Sequence, residues 1–340
     1  MLKRLRAIAL VAVAATVITA AGCSKNTPAE TDNTKKTPDK VTYVTAFGAV
    51  GRDSFAWVAQ KKGFFAESGL DVTIQLGAAV DQNLSALAAG QAQFASLDLT
   101  GAMIQSGKGT FKDFRAIAAI HQQTLVSIIS LQGGKIATPK DLEGKKIGAA
   151  TGSVNQLLFP AYAQLAGVDP KLVTWVNVPP PQLPALLASS QVDALSTFLI
   201  GRGGIEKAAG KPAVIMPYSD YLSDLYGNGL VTSSKLTADN PDLVKRFRDA
   251  ALKGLKWTIE NPEDAAKILK EAQPSADIGA ATGEIKAMAP YVKPTDASAP
   301  FGGLDQKQVA RAIAILQGAG LIPSGLTPDA VVDFDLTPGT

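Results

Sequence analysis

The chain has 340 residues, of which 33 are basic, 30 are acidic and one is a cysteine. Lys3, Arg4 and Arg6 are the basic residues of the first 22 positions, which contain no acidic residue, so the remainder carries 30 of each sign. With no excess of positive charge, the chain is not expected to bind nucleic acid or to be strongly attracted to anionic lipid. A single cysteine cannot form a disulfide within the chain.

The N-terminus has the pattern of an export signal. After the basic start, an apolar run extends from Ala7 to Ala21 and is too short for a membrane-spanning helix, which needs roughly 20 residues. Ala20-Ala21-Gly22 then precedes Cys23 and resembles the lipobox of bacterial lipoproteins, in which the cysteine is acylated. We therefore predict a signal peptide over 1–22 and a lipid anchor at Cys23. The alternative is an ordinary cleaved signal with a chance cysteine.

Residues 23–40 are predicted to be a flexible tether. Positions 24–40 contain no large apolar side chain, so they bury too little surface to offset the entropy of ordering. Beyond the tether, strand and helix patterns alternate. The predicted strands are 41–47, 71–76, 94–97, 114–120 and 125–131, and the helices between them are 54–67, 81–89 and 100–106. This alternation predicts βαβ units and a mostly parallel sheet.

A second series begins after residue 138. Its predicted strands are 146–150, 173–178, 193–197 and 213–217, and its helices are 155–165, 183–189 and 205–209. A returning strand over 229–233 precedes a helical C-terminal region with helices at 241–260, 262–271, 280–289 and 306–318. Residues 83–98 and 182–198 are similar to each other, with Ser96 aligned to Ser196. The restart and this echo predict an α/β fold of two similar lobes, a size suited to about 300 residues.

Candidate ligand contacts lie in the loops that follow strands, because open α/β sheets bind ligands beyond the carboxyl ends of their strands. The residues in such loops are Arg52, Asp53, Asp98, Thr151, Gly152, Ser153 and Phe198. Gly152 would let the backbone approach a ligand closely, beside the free amides of the next helix. Asp53 and Ser153 have the alternative role of helix caps, and Arg52 that of a solvated charge.

Two further segments lie where the chain leaves and re-enters the first lobe. Gln122 follows His121, the single histidine, for which a structural role is favoured over a functional one. The tyrosine-rich segment 218–229 contains Tyr226 and Asn228, which suit a cleft that stacks and hydrogen-bonds a planar solute. Paired cysteines, His-x-x-x-His spacing and a Gly-x-Ser-x-Gly motif are all missing from the sequence, so no catalytic residue, metal or cofactor is predicted.

The segment GRDSFAWVAQKKGFFAESGLDVTIQL, residues 51–76, resembles the first βαβ unit of a group of ABC-importer solute-binding proteins. The group contains binders of sulfonates, taurine, nitrate and the thiamine pyrimidine precursor. The segments LAAGQAQFA, DLEGKKIG, SSQVDAL and DLYGNGLV extend the resemblance over about residues 41–320. It implies a two-lobed periplasmic-binding-protein fold of type II with a hinge. Lobe one would comprise 41–123 and 229–340, and lobe two 124–228.

The resemblance also implies partners. The protein would be a monomer anchored on the extracytoplasmic side of the membrane, passing a small solute to importer permease subunits. The first-helix loop, Asp98, Gln122 and Thr151–Ser153 would line the cleft. Arg52 is the only arginine in the candidate loops before residue 200, and Arg202 follows the fourth loop. The lack of paired basic residues favours a neutral, thiamine-precursor-like pyrimidine over a sulfonate, taurine or nitrate.

Two other functions remain open. Some eukaryotic relatives of the fold are enzymes that make the thiamine pyrimidine. They depend on a cysteine-rich metal-binding stretch and on a substrate histidine, whereas the single cysteine here belongs to the export signal. A lipoprotein sensor subunit that feeds a membrane receptor would use the same cleft as a transport protein.

Overall fold

Two five-stranded sheets organise residues 37–150, 152–294 and 296–339, which are the residues described by the computed structural model. The predicted signal peptide, Cys23 and tether residues up to 36 lie outside this range, as does Thr151. The strands are β1 (Asp39–Val44), β2 (Leu70–Gln75), β3 (Phe94–Asp98), β4 (Phe114–Ala119), β5 (Val126–Leu131), β6 (Lys146–Ala149), β7 (Thr174–Asn177), β8 (Ala194–Phe198), β9 (Ala213–Pro217) and β10 (Asn228–Ser233).

The α-helices lie mainly between strands and in the C-terminal third. They are α1 (Phe55–Lys61), α2 (Phe64–Glu67), α3 (Val80–Ala88), α4 (Leu99–Gly107), α5 (Val154–Leu157), α6 (Phe159–Leu165), α7 (Leu183–Ala188), α8 (Arg202–Ala209), α9 (Ser234–Asp239), α10 (Pro241–Glu260), α11 (Pro262–Ala272), α12 (Ile278–Val292), α13 (Gln306–Gly318) and α14 (Pro328–Val331). Short 3₁₀ turns at Gly51–Asp53 and Leu199–Gly201 matter for the site. Within the described ranges, no helix is long and apolar enough to cross a membrane.

The two sheets have the same topology. Sheet A has the order β2-β1-β3-β10-β4, and sheet B has the order β7-β6-β8-β5-β9. In each sheet the fourth strand is antiparallel to its neighbours: β10 lies between β3 and β4, and β5 lies between β8 and β9. The chain therefore passes between the sheets twice, over 120–125 and 218–227. This two-sheet α/β architecture with a helical C-terminal region confirms the predicted fold class.

Several predicted boundaries differ from the structure, among them the start of the first strand and the divisions of the predicted helices 54–67 and 155–165. β1 begins at Asp39, inside the predicted tether, because Asp39 pairs with Leu70 in the parallel ladder and forms a 2.7 Å ion pair with Arg246. The predicted helix 54–67 is divided into α1 and α2. Gly63 separates them with a left-handed φ of 80°, a conformation that ends a helix and that glycine adopts without strain.

The C-terminal helices complete the core of sheet A. Phe247 of α10 stacks on Phe94 of β3, with ring centroids 3.8 Å apart, and on Phe65 at 5.5 Å. α12 packs beside both 3₁₀ turns, and Gly51 has no room for a side chain because the backbone of Ala281 fills that space. α12 therefore contacts segments that follow strands of both sheets, and it holds the loop that carries Arg52.

Candidate functional site

A small cavity lies where the two sheets meet. It is lined by Arg52, Asp98, His121, Leu125, Phe198, Gly227 and Asn228. Its volume is about 10 Å³, which is the space of a single water molecule. Asp98 ends β3 beside Asn228 of β10, and Phe198 ends β8 beside Val126 of β5. Equivalent corners of the two sheets therefore form this site.

Arg52 connects the two sheets through its guanidinium group. The group lies 5.6 Å from the ring centroid of Phe47 and 5.5 Å from that of Phe198, which belongs to the opposite sheet. Its Nε is 3.6 Å from Oδ2 of Asp53 but has no hydrogen-bond partner among the described residues. The structure thus places Arg52 at the centre of the site, as a mostly buried side chain and not as a solvated charge.

Asp53 fixes the loop that carries Arg52. Its carboxylate accepts hydrogen bonds from the backbone N–H groups of Ala46 (2.8 Å) and Phe47 (3.3 Å). Burial raises the pKa of Asp53, and the positive charge of Arg52 opposes that rise. The alternative role as cap of the first helix is not observed, because Ser54 occupies the N-cap position of α1. Asp53 therefore organises the loop from behind the cavity.

Asp98 caps a helix and also lines the cavity. It is the N-cap of α4, and its Oδ1 accepts a hydrogen bond of 2.7 Å from the backbone N–H of Gly101. Burial raises the pKa of Asp98 to about 6, against the opposing effects of the Gly101 hydrogen bond and the charge of Arg52. Asp98 is therefore mostly ionised at neutral pH and can accept a hydrogen bond from a ligand.

His121, for which the sequence argument favoured a structural role, lines the cavity. Its Nδ1 accepts a 3.2 Å hydrogen bond from the backbone N–H of Asn228, and Nε2 has no partner among the described residues. Burial, together with the charge of Arg52, lowers the pKa of His121 to about 3. The side chain is therefore neutral. The sequence feature that could have identified His121 as a cavity residue is its position next to Gln122, in the segment that connects the two sheets.

Glu284 of α12 is a second residue that the sequence argument missed. Its carboxylate accepts a 3.4 Å hydrogen bond from the backbone N–H of Arg52, 232 positions away in sequence. Burial raises the pKa of Glu284, and Arg52 opposes the rise. No local pattern connects two residues so far apart. One guanidinium group thus acts electrostatically on three carboxylates: those of Asp53 and Asp98, which are buried, and that of Glu284, which is half-buried.

Two predicted contacts, Gln122 and Tyr226, lie away from the cavity. Both line a separate groove of about 360 Å³ beside the C-terminal region. Nε2 of Gln122 donates to the carbonyl of Gly303 (3.1 Å), and the hydroxyl of Tyr226 accepts from the N–H of Asp305 (2.9 Å). Their neighbours His121 and Gly227 line the cavity instead, since adjacent residues of a crossover segment point in different directions.

Gly152 and Ser153, two residues of the loop predicted to bind ligand in the second lobe, also stand apart from the cavity. Ser153 caps α5 by accepting a 3.4 Å hydrogen bond from the N–H of Gln156, which is the alternative role considered for it. Gly152 is exposed and has a φ of 66°. Among the described residues no group of three histidine, cysteine or acidic side chains could hold a metal ion.

The family model described as NMT1/THI5 like matches residues 54–265. The chain belongs to this NMT1/THI5-like family. It is 25% identical over 268 residues to the formylaminopyrimidine-binding protein of Halalkalibacterium halodurans, covering 77% of this chain and 80% of that one. It is 24% identical over 293 residues to the riboflavin-binding protein RibY of Chloroflexus aurantiacus, covering 82% and 81% of the two chains.

Among solved structures, the NMT1/THI5-like chain is similar to the periplasmic aliphatic sulphonate binding protein SsuA of Escherichia coli. The TM-score is 0.70 at 13% sequence identity, covering 87% of this chain and 92% of SsuA. At this identity the likeness shows the fold alone: that of a periplasmic binding protein. The resemblance stated from the sequence is thereby confirmed.

Proposed function

We propose that this protein is the extracytoplasmic solute-binding component of an ABC importer. We further propose that it takes a small planar nitrogen heterocycle, best matched by a thiamine-precursor-like aminopyrimidine. The names of two relatives support this class, since formylaminopyrimidine and riboflavin both contain flat nitrogen-containing rings. Binding between the lobes accords with the position of the cavity at the junction of the two sheets.

The observation that carries the solute class is the composition of the site around Arg52. Two aromatic rings, Phe47 and Phe198, lie about 5.5 Å from a flat guanidinium group. A planar heterocycle has the same shape and the same preference for an aromatic face. When the lobes open and close again by a hinge motion, such a ring would stack on Phe198 across the cleft.

The charges at the site disfavour the alternative, a sulfonate, taurine or nitrate. Asp98 is mostly ionised at neutral pH and lines the cavity, where Arg52 supplies the one positive charge among the lining residues. An added sulfonate or nitrate would be repelled by the Asp98 carboxylate in a region of low dielectric constant. A neutral solute with an amino group avoids this repulsion and can donate a hydrogen bond to Asp98.

The membrane attachment belongs to the same proposal. Cys23 would carry the lipid, and the segment after it would tether the two lobes near the permease subunits that receive the solute. We expect labelled palmitate to be incorporated into the wild-type chain and not into Cys23→Ser. Wild-type protein that takes up no label would show that residues 1–22 are an ordinary signal peptide.

A transport role fits the site better than catalysis does. Asp98 and His121 are each held by a backbone N–H group, and a single charged pair, Arg52 with Asp53, lies beside them. This set provides recognition groups for a solute, and we propose no catalytic residue. A monomeric binding protein, whether it serves an importer or a membrane sensor, needs only these contacts and a hinge.

The proposed solute class is tested by mass spectrometry of ligand that co-purifies with the protein. Calorimetric titration should accompany it, with 4-amino-2-methylpyrimidine, riboflavin, taurine, an alkanesulfonate and nitrate. We expect binding of one or both heterocycles and none of the anions. A saturating ligand at a hundred-fold excess over its Kd should stabilise the protein by about 2.7 kcal/mol. Binding of an anion in preference to both heterocycles would overturn the proposal.

A further inference from the structure

The Nε2 atom of His121 is a buried polar group that lacks a hydrogen-bond partner among the described residues. The side chain is 1% exposed and lines the cavity between the two sheets. Leaving a buried polar group unpaired costs about 1–3 kcal/mol, so such groups usually have a partner when the protein works. Within the cavity, that partner is either a water molecule or a bound solute.

The protonation state of the ring follows from its other contact. The backbone N–H of Asn228 donates to Nδ1, so Nδ1 must be the unprotonated nitrogen. The ring is neutral because burial and Arg52 keep its pKa near 3. The single ring proton of His121 is therefore on Nε2. The cavity wall thus carries a hydrogen-bond donor and no positive charge at this point.

The ring is also held in a fixed orientation. Gly227 packs directly against it: a Cβ atom at position 227 would lie 2.9 Å from Cβ and 3.1 Å from Nδ1 of His121. The Asn228 hydrogen bond fixes the ring on one edge, and the close approach of Gly227 fixes it on one side. A donor that is already oriented loses little entropy on binding, which is a property of recognition groups.

Three other polar residues, Arg52, Asp98 and Asn228, line the same cavity. Nε of Arg52 is a second buried donor without a hydrogen-bond partner among the described residues, 3.6 Å from Oδ2 of Asp53, and Asp98 is an acceptor. The set therefore matches a molecular edge that presents acceptor atoms next to a donor. A ring nitrogen adjacent to an amino group has this arrangement, whereas a benzene ring with the same amino group has only the donor.

We infer that His121 is a specificity-determining residue, whose Nε2–H donates a hydrogen bond to a ring nitrogen or ring carbonyl of the solute while Asp98 accepts from the adjacent amino group. This inference rests on the proposed heterocycle-binding function and defines which edge of the ring is recognised. It adds a requirement that shape and stacking do not impose, namely an acceptor atom in the ring.

The test combines two variants with two ligands. In His121→Asn the shorter amide can still accept from the Asn228 N–H but does not reach the position of Nε2. In His121→Gln the longer amide returns an N–H donor to that position. The ligands are 4-amino-2-methylpyrimidine and 3-methylaniline, a ring of the same shape without ring nitrogens. Affinities are measured by calorimetry, and thermal melts confirm that each variant is folded.

We expect the wild-type protein to prefer the pyrimidine to the aniline by about 10-fold to 100-fold, the effect of one hydrogen bond together with the cost of leaving its donor unpaired. The preference should disappear in His121→Asn, through loss of pyrimidine affinity alone, and should return in part in His121→Gln.

A wild-type preference that persists unchanged in His121→Asn would overturn the inference and assign Nε2–H to a buried water molecule. Wild-type protein that binds both rings equally would also overturn it, although the proposed planar solute class would stand. Wild-type protein that binds neither ring, nor riboflavin, would instead overturn the proposed function, and the role of His121 with it.

Discussion

The two sheets have one topology but provide different chemistry at the cleft. Their echoing segments both end in a buried strand, and the aligned serines both pair with a tyrosine hydroxyl. Ser96 Oγ lies 2.6 Å from the hydroxyl oxygen of Tyr43, and Ser196 Oγ lies 3.1 Å from that of Tyr218. Two positions later the segments diverge, to Asp98 in sheet A and Phe198 in sheet B. A duplicated scaffold thus carries a polar recognition surface on one side and an aromatic cover on the other.

The loops after β1 and β6, which occupy the same position in the two sheets, show the same contrast. The loop of sheet A is fixed by the buried Asp53, which accepts two backbone hydrogen bonds. The loop of sheet B contains the exposed Gly152 and a single capping bond from Ser153. Loops at equivalent positions of the two sheets therefore need not have the same role. A loop holds a charged group in place only where buried residues fix its backbone.

The largest expected effect comes from removing the anchor of the sheet A loop. Asp53→Ala leaves two backbone N–H groups and the Arg52 guanidinium without their carboxylate, so we expect unfolding free energy to fall by about 2–4 kcal/mol. Asp53→Asn keeps one acceptor oxygen and should lose less. Chemical denaturation measures both. A loss below about 1 kcal/mol for Asp53→Ala would show that the two loops are equally dispensable.

The aromatic side of the comparison is tested at Phe198. Phe198→Ala removes a ring that covers Arg52 from the opposite sheet, and we expect solute affinity to fall by about 2 kcal/mol, or roughly 30-fold. Phe47→Ala is the matched control, because Phe47 is 48% exposed and should contribute less. Titration calorimetry decides between them. An equal loss of solute affinity in both variants would show that Phe198 of sheet B has no special role in covering the solute.

The contribution of Asp98, the polar residue at the end of β3, to stability and to solute affinity should depend on pH. The folded-state pKa of Asp98 is about 6, above the ordinary 3.8, so its contribution to stability is complete below about pH 3.8 and is lost as pH rises through about 6. Affinity should run the other way, because the ionised carboxylate accepts from the solute. We expect affinity for 4-amino-2-methylpyrimidine to rise roughly tenfold between pH 5 and 7.

Asp98→Asn is the control for this titration, since it removes the ionisable group and leaves any protonation of the ligand unchanged. The pKa of His121, about 3, lies outside the window, so the histidine adds nothing to the profile. A pH dependence that is the same in wild type and Asp98→Asn would assign the profile to the ligand and remove Asp98 from the polar surface.

The smallest effect is expected in the loop of sheet B. Ser153→Ala removes one capping bond and should lower stability by about 0.5–1 kcal/mol. Gly152→Ala forces alanine into a left-handed φ of 66° and should cost about 1 kcal/mol. Solute affinity should stay within about twofold in both variants. A tenfold loss of affinity in either would restore this loop as a ligand contact and make the two lobes more alike.

Local patterns in the sequence were enough to predict elements whose ends are set by neighbouring residues. α10 spans Pro241–Glu260 as predicted, because Asn240 caps it through the N–H of Leu243 and Pro241 occupies the first turn. α13 likewise spans its predicted residues. The short helices α9 and α14 were not predicted, since helices of six and four residues contain too little periodicity to detect.

The site was predictable only where a strand end determines a position. Arg52, Asp98 and Phe198 line the cavity because the carboxyl ends of parallel strands meet at one edge, and Asn228 lies beside Asp98 because it begins the antiparallel strand β10. The direction in which a crossover residue points depends on tertiary packing, which the spacing of apolar residues in the sequence does not reveal. The sequence argument therefore selected Gln122, although it is the neighbouring His121 that lines the cavity. Glu284 reaches Arg52 only through the packing of α12 on the Gly51–Asp53 turn.

The exchange of strands between the sheets has a consequence for folding kinetics. β10 joins β3 through contacts such as the hydrogen bond from Thr232 Oγ1 to the carbonyl of Gln93, 139 positions apart. Sheet A therefore lacks an inner strand until residue 233 is available, and such distant pairing folds slowly. Such slow folding would suit the proposed export, because a precursor has to stay unfolded while it is threaded across a membrane. A chain ending after β9 should accordingly leave residues 39–119 open to limited proteolysis, and protection of that region would show that sheet A forms without β10.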